Sequence, residues 1–151
     1  MFNKRRTFLP LLRAHHLLGG DNAGFEYITR IIKDLEVDPR VASVVDVGPK
    51  TADDMAAYPH YAVDAAKTVA IGEADRVLLI CGTGMGVAIA ADKVTGRAIL
   101  SLDAQVLCLG VMVVGIELAR RLMKEWLGYT FDPKSAFADK VGETNDYDLK
   151  N

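Results

Sequence analysis

One thiol in this chain stands where a thiol can work. Cys81 ends an apolar run and is followed at once by Gly82-Thr83-Gly84-Met85-Gly86. Three glycines in five residues make a loop without side-chain bulk. Its backbone N–H groups can approach an anion, and the helix expected after it adds partial positive charge. A thiol beside a helix N-terminus loses its proton more readily and serves as base or nucleophile. The loop lacks the Gly-Lys-Ser/Thr of a Walker motif, and Val87 stands where G-x-G-x-x-G requires its last glycine. A nucleotide-binding module is therefore the weakest reading of it.

Asp21 is the second candidate, within Gly19-Gly20-Asp21-Asn22-Ala23-Gly24. Asp and Asn favour turns and helix caps through local hydrogen bonds. At a strand end such a carboxylate also faces the crevice where ligands gather in parallel sheets, so both roles can coexist. The other reactive types are quieter. Cys108, inside Val106-Leu107-Cys108-Leu109, reads as a core thiol. The two cysteines lie far apart with no C-x-x-C, which excludes a zinc knuckle or dithiol motif and fits a reducing compartment. His15 and His16 read as strand residues without a chemical role, because no metal-ligand spacing joins them to other His, Cys or Asp. His60, beside Pro59, reads as a surface-loop residue.

The elements that must position these groups alternate in type along the chain. Leu11 to Leu18 reads as a first strand, weakened by Arg13, His15 and His16, and Gly19 to Asn22 as a turn. Phe25, Ile28, Ile31, Ile32 and Leu35 follow helical spacing within Ala23 to Leu35, and Asp38-Pro39 stops that helix. Val41 to Val47 is a β-branched strand ended by Gly48-Pro49. A polar loop reaches Tyr58-Pro59-His60-Tyr61, and Ala62 to Ile71 is a helix with small packing residues. Arg76 to Cys81 is apolar enough for a central strand covered on both faces. Val87 to Asp92 reads as helix, Gln105 to Leu109 as strand, and Val114 to Leu127 as an amphipathic helix. A polar tail follows Gly128. This alternation predicts βαβ units and an α/β fold.

Composition narrows the partners. The chain has 151 residues, a formal charge of −2, 50% hydrophobic and 25% charged residues, the profile of one globular domain. We expect a single domain over 1–151, with 1–10 and 142–151 as peripheral tails. Balanced charge argues against nucleic acid or an anionic membrane as partner, since those need several lysines and arginines gathered together. Only Lys4-Arg5-Arg6 forms a basic run. No apolar run approaches the ~20 residues that span a bilayer, and no cleavage-site pattern follows Thr7 to Gly20, so a cytoplasmic protein is expected.

Four blocks then occur in one order. They are Gly20-Asp21-Asn22-Ala23-Gly24-Phe25; Tyr58-Pro59-His60-Tyr61-Ala62; Cys81 to Gly86 with Ile89-Ala90-Ala91-Asp92-Lys93; and Asp103-Ala104-Gln105-Val106-Leu107 with Gly115-Ile116-Glu117-Leu118-Ala119. Together, from about Gly19 to Leu127, they resemble the ribose-5-phosphate isomerase type B family, which also contains the galactose-6-phosphate isomerase subunits. The resemblance implies a Rossmann-like three-layer sandwich with a mostly parallel sheet, forming a homodimer or higher homo-oligomer with sugar phosphate bound between subunits. It implies an aldose–ketose interconversion through an enediolate, ribose 5-phosphate to ribulose 5-phosphate being the first expectation. Cys81 matches the base that moves a proton between C1 and C2, and Thr83 adds a hydroxyl. Gly82, Gly84, Met85 and Gly86 belong to the loop that shelters the enediolate oxygen. Asp21 and Asn22 match an Asp-His pair near the sugar, with Asn in place of His. Tyr58 lies in the matching substrate-side loop, Lys140 matches a C-terminal Arg, and Lys134 is nearby. No metal or organic cofactor is implied, because this proton transfer needs a placed base and an anion-stabilising pocket.

The departures from the family pattern cluster. A His-Asn pair before Asp103 is replaced by Ser101 and Leu102, and a phosphate-contacting Arg by Met112. After Gly96 a strand and the start of a helix are missing. These changes point to low activity or to a preference for an open-chain, shorter sugar phosphate such as a tetrulose phosphate. The alternative is a catalytically impaired paralogue serving as a sugar-phosphate-binding, regulatory or structural subunit.

Overall fold

The computed structural model describes residues 14–94 and 105–148. Strand β1 (Ala14–Gly20) leads through a 3-10 turn (Asn22–Gly24) into α1 (Phe25–Glu36). The chain continues as β2 (Val41–Asp46), α2 (Tyr58–Ala70), β3 (Arg76–Cys81), α3 (Met85–Ala91), β4 (Val106–Gly110), α4 (Ile116–Trp126) and α5 (Ala138–Asp148). The described strands form one parallel sheet in the order β2-β1-β3-β4. This is the α/β fold expected from the alternating pattern, in the three-layer form that the family resemblance implies.

Each face of the sheet carries its own core, as the two-residue side-chain period of a strand dictates. Leu18, Leu78, Ile80 and Leu109 point to one side, where α1 and α4 cover them with Ile28, Ile31, Leu35, Ala119 and Met123. Val77, Leu79, Cys81 and Val106 point to the other, under Ala62, Ala65, Ala66 and Val69 of α2 and Val87, Ala90 and Ala91 of α3. The small side chains of α2 and α3 let these helices sit close to the sheet and to each other. β3 is buried along nearly its whole length, which explains why its sequence is an unbroken apolar run.

Several expectations are corrected here. β1 runs to Gly20 rather than Leu18, because Gly19 and Gly20 stay extended and pair with Leu79 and Ile80. The part of that strand expected on 11–13 lies outside the described residues. His16 is buried at 2% exposure and His15 is exposed, the alternation of an interior strand near its amino end. α2 begins at Tyr58, four residues before the expected Ala62, since Pro59 occupies the first helical turn where its missing N–H costs nothing. His60 is accordingly an exposed helix residue, not a loop residue. α5 replaces part of the expected polar tail. The missing-strand expectation after Gly96, with Ser101 and Leu102, falls outside the described residues. β3 pairs directly with β4 from Val77↔Val106 to Cys81↔Gly110, so nothing stands between these two strands.

Candidate active site

The strand order reverses direction between β1 and β3: β2 lies on one side of β1, while β3 and β4 lie on the other. At such a switch point the loops leaving two neighbouring strands diverge to opposite faces and open a crevice beyond their carboxyl ends. Here the loops are those beginning at Asp21 and at Gly82. Register brings them level, since Gly20 pairs with Ile80 and the next residues are Asp21 and Cys81.

Glycine makes this close approach possible. A Cβ on Gly20 would stand 1.9 Å from the Ile80 carbonyl oxygen, and one on Gly24 would stand 2.3 Å from the same atom. The turn is therefore pressed directly onto the end of β3. Asp21 N–H donates to that carbonyl at 3.4 Å. The Asp21 carboxylate accepts from Ala23 N–H at 3.1 Å and from Gly24 N–H at 3.4 Å, so it caps the 3-10 turn while standing at the crevice. Asn22 is exposed beside it, and its Nδ2 donates to Met55 Sδ at 3.6 Å.

Cys81 closes β3 with its side chain buried at 4% exposure. Gly84 N–H donates to its Sγ at 3.2 Å. Gly84 reaches that position with φ +81°, the left-handed region that Cβ-bearing residues avoid. Thr83 is exposed, and its Oγ1 accepts from Met85 N–H at 3.4 Å. Met85 and Gly86 form the opening of α3 rather than loop, so amides that lack intrahelical acceptors face the same end of the sheet. Tyr58 lies across Gly86: a Cβ there would stand 2.7 Å from Tyr58 Cζ. Met112 covers Gly82, with its Cε 3.2 Å from where a Cβ would be, while remaining 75% exposed.

Two contributors were not singled out from sequence. Gly110 is the seat of the loop, because a Cβ there would stand 2.3 Å from the Thr83 carbonyl carbon. The loop is also laced to the chain after β4 by Val111 N–H to Cys81 O and Met112 N–H to Gly82 O, each at 3.0 Å. A glycine directly after the apolar run Val106 to Leu109 was the only signal for it. Met55 was invisible because its pairing with Asn22 crosses from a separate loop.

The structure thus gathers Asp21, Asn22, Tyr58, Cys81, Gly82, Thr83, Gly84, Met85 and Gly86 at one end of the sheet. Lys134 and Lys140 lie elsewhere in the chain, on the C-terminal segment and α5. The Lys140 Nζ sits 5.5 Å from the Phe137 ring centroid, and Lys134 N–H donates to Asp132 Oδ1 at 2.9 Å. Cys108 packs against the same core as Cys81; burial, with the charge of Cys81 beside it, pushes its thiol up to about 12. It stays protonated at neutral pH, which agrees with a core thiol. Among the described residues no three His, Cys, Asp or Glu stand together as a metal-binding group.

This arrangement, a thiol at a strand end under glycine amides with a carboxylate from the neighbouring strand, can take a carbon-bound proton and hold the resulting oxyanion. The family model described as Ribose/Galactose Isomerase matches residues 17–143. D-erythrulose-4-phosphate isomerase 2 of Mycolicibacterium smegmatis is 57% identical, covering 87% of this chain and 95% of the relative. Ribose-5-phosphate isomerase B of Escherichia coli is 38% identical over 76% of this chain and 83% of its own. Among solved structures, the type B ribose 5-phosphate isomerase of Leishmania infantum superposes with a TM-score of 0.83 at 28% identity, covering 92% of this chain and 99% of that one. With fold, ordered motifs and relatives in agreement across most of its length, the chain belongs to the ribose/galactose isomerase family.

Proposed function

We propose that this protein interconverts an aldose phosphate and its ketose through an enediolate, with Cys81 as the base. The observation that carries the reading is Cys81 Sγ at the switch point, accepting the Gly84 N–H at 3.2 Å, one residue past the strand pairing that sets Asp21 beside it. In the aldose direction the Cys81 thiolate takes the proton from C2. The C2–H electron pair forms the C1=C2 bond and the carbonyl pair moves onto O1, where the loop amides meet the developing charge. The O2 proton passes to O1, and Cys81 returns its proton to C1, leaving a carbonyl at C2. No atom or electron is gained or lost, so the chemistry needs only the placed base and the sheltered oxyanion.

The four-carbon pair D-erythrose 4-phosphate and D-erythrulose 4-phosphate is the favoured substrate, ahead of ribose 5-phosphate. The 57% identical relative carries that activity in its name, and Met112 presents a thioether over Gly82 rather than a cation that would reach for a more distant phosphate. The phosphate is met by Lys140 and Lys134 of a second copy. α5 is exposed or half-buried along its described length and carries Lys140, with Lys134 just before the helix, so in this reading a homodimer that lays this segment across its neighbour completes the site. The test is ketose-to-aldose turnover of D-erythrulose 4-phosphate and of ribulose 5-phosphate by purified protein, with Cys81→Ala as control. Turnover that the substitution leaves intact overturns the role of the thiol, and no turnover of either compound overturns the reading.

A further inference from the structure

The segment between β2 and α2 is fastened at several points. Near its start Pro49 is buried, and the Asp46 carboxylate accepts from Gly48 N–H at 2.9 Å. Further along, Asp54 anchors it with both carboxylate oxygens: Oδ1 accepts from Ala56 N–H and Oδ2 from the Tyr61 hydroxyl, each at 2.9 Å. Met55 stands between Asp54 and Ala56 with 80% of its surface exposed, so its thioether does not serve to fill a core. What it touches is Asn22, the residue after Asp21 in the turn that borders the crevice. Asn22 Nδ2 donates to Met55 Sδ at 3.6 Å. A thioether sulfur accepts hydrogen bonds and donates none, so of the two ends of a carboxamide only the nitrogen meets it favourably. Nitrogen and oxygen leave the same planar carbon in different directions. Holding Nδ2 on the loop therefore turns Oδ1 away from it, as an acceptor with a fixed orientation.

We propose that Met55 is a positioning residue acting through Asn22: it orients the carboxamide so that Oδ1 accepts from the C3 hydroxyl of the sugar phosphate. That hydroxyl takes no part in the proton transfer between C1 and C2, so the contact serves binding rather than chemistry. The inference rests on the isomerase reading above and deepens it, by naming a determinant of specificity for the carbon chain rather than for the phosphate. A hydroxyl can answer either end of an amide. The sulfur contributes by fixing one end before the sugar arrives, so that the ordering of Asn22 is completed in folding and not charged against binding.

The experiment measures KM and kcat for D-erythrulose 4-phosphate and its 3-deoxy analogue, with the wild type, Met55→Leu, Met55→Gln, Asn22→Ala and the double variant Met55→Leu with Asn22→Ala. Met55→Leu keeps the bulk without the acceptor, and it is expected to raise KM for D-erythrulose 4-phosphate about three- to tenfold while kcat stays within about twofold. Met55→Gln, whose Oε1 accepts in place of the sulfur, is expected to bring KM back. The double variant is expected to match Asn22→Ala alone, because the sulfur then has nothing left to act through. With the 3-deoxy analogue the wild type and Met55→Leu are expected to share one KM. An unchanged KM in Met55→Leu overturns the proposal. So do losses that add in the double variant, a loss of equal size with the 3-deoxy analogue, or a fall in kcat that follows a lowered unfolding midpoint, which would make the residue structural. Absence of wild-type turnover with both D-erythrulose 4-phosphate and ribulose 5-phosphate is a different failure, that of the isomerase reading itself.

Discussion

Replacing Cys81 with Ala should leave the fold of β3 intact while removing the proposed base, so the far-ultraviolet spectrum should be unchanged while kcat falls about 10²–10⁴-fold. Gly84→Ala tests the loop separately from the thiol. Its φ of +81° and the Leu109 carbonyl carbon 2.9 Å from the added Cβ force the backbone out of the left-handed region. The strain is worth about 1–3 kcal/mol. Denaturant unfolding should report a loss of that order, and KM and kcat should worsen together because Gly84 N–H leaves Cys81 Sγ. The placement of the candidate site was largely legible at this scale, because Cys81 with its glycine loop and Asp21 each follow a strand and so come to one end of the sheet. Gly110 and Met55 were not legible, since their meaning lies in what crosses them from another part of the chain.

At the scale of elements, the helices on one face are tied by charge as well as by packing. Arg120 of α4 donates to both carboxylate oxygens of Asp34 on α1, at 2.6 and 2.8 Å, and also reaches Glu117. The Arg120 hydrogen bonds hold the Asp34 carboxyl below the usual carboxylate range, against the opposing effect of burial. Beyond α1, the Arg40 guanidinium fastens Asp38 at 2.9 and 2.6 Å, and these hydrogen bonds bring its carboxyl down to about 2. A depressed folded-state value stabilises the fold above the unfolded value of about 3.9 and is lost as pH falls through the folded one. Acid unfolding of the wild type should therefore steepen between about pH 4 and pH 2, and Asp38→Asn should flatten that portion of the curve. An unchanged acid limb would show that the Arg40 pair does not contribute. Elements with an apolar rhythm were readable: β3 matches its expected span, and α1, β2 and α4 differ by one or two residues at their ends. α5 was not readable, because a helix with no buried stripe has no period to detect, and the start of α2 was obscured by a proline that reads equally as loop.

At the scale of the whole molecule the cations and the thiol lie on different elements of the chain, and the proposed reaction draws its phosphate contacts from a second copy. Light scattering should give a dimer or larger multiple of the chain. Lys140→Ala should raise KM for the sugar phosphate several-fold with a smaller change in kcat, as expected when binding of a non-reacting group is lost. Equal losses in kcat and kcat/KM would place Lys140 in the chemistry instead. The sheet itself could be anticipated as α/β from alternation alone. The direct pairing of β3 with β4 could not, because register between strands is set by contacts that no local pattern records.

That pairing has an operational price in heat. β4 ends the described sheet on one side, yet its last residue is the surface on which Thr83 rests, and the chain just beyond it grips the carbonyls of Cys81 and Gly82. Terminal strands fray before interior ones do. Warming should thus silence turnover several degrees below the collapse of helical ellipticity, and cooling from that interval should restore it, as a hinge pin reseated rather than a door rebuilt.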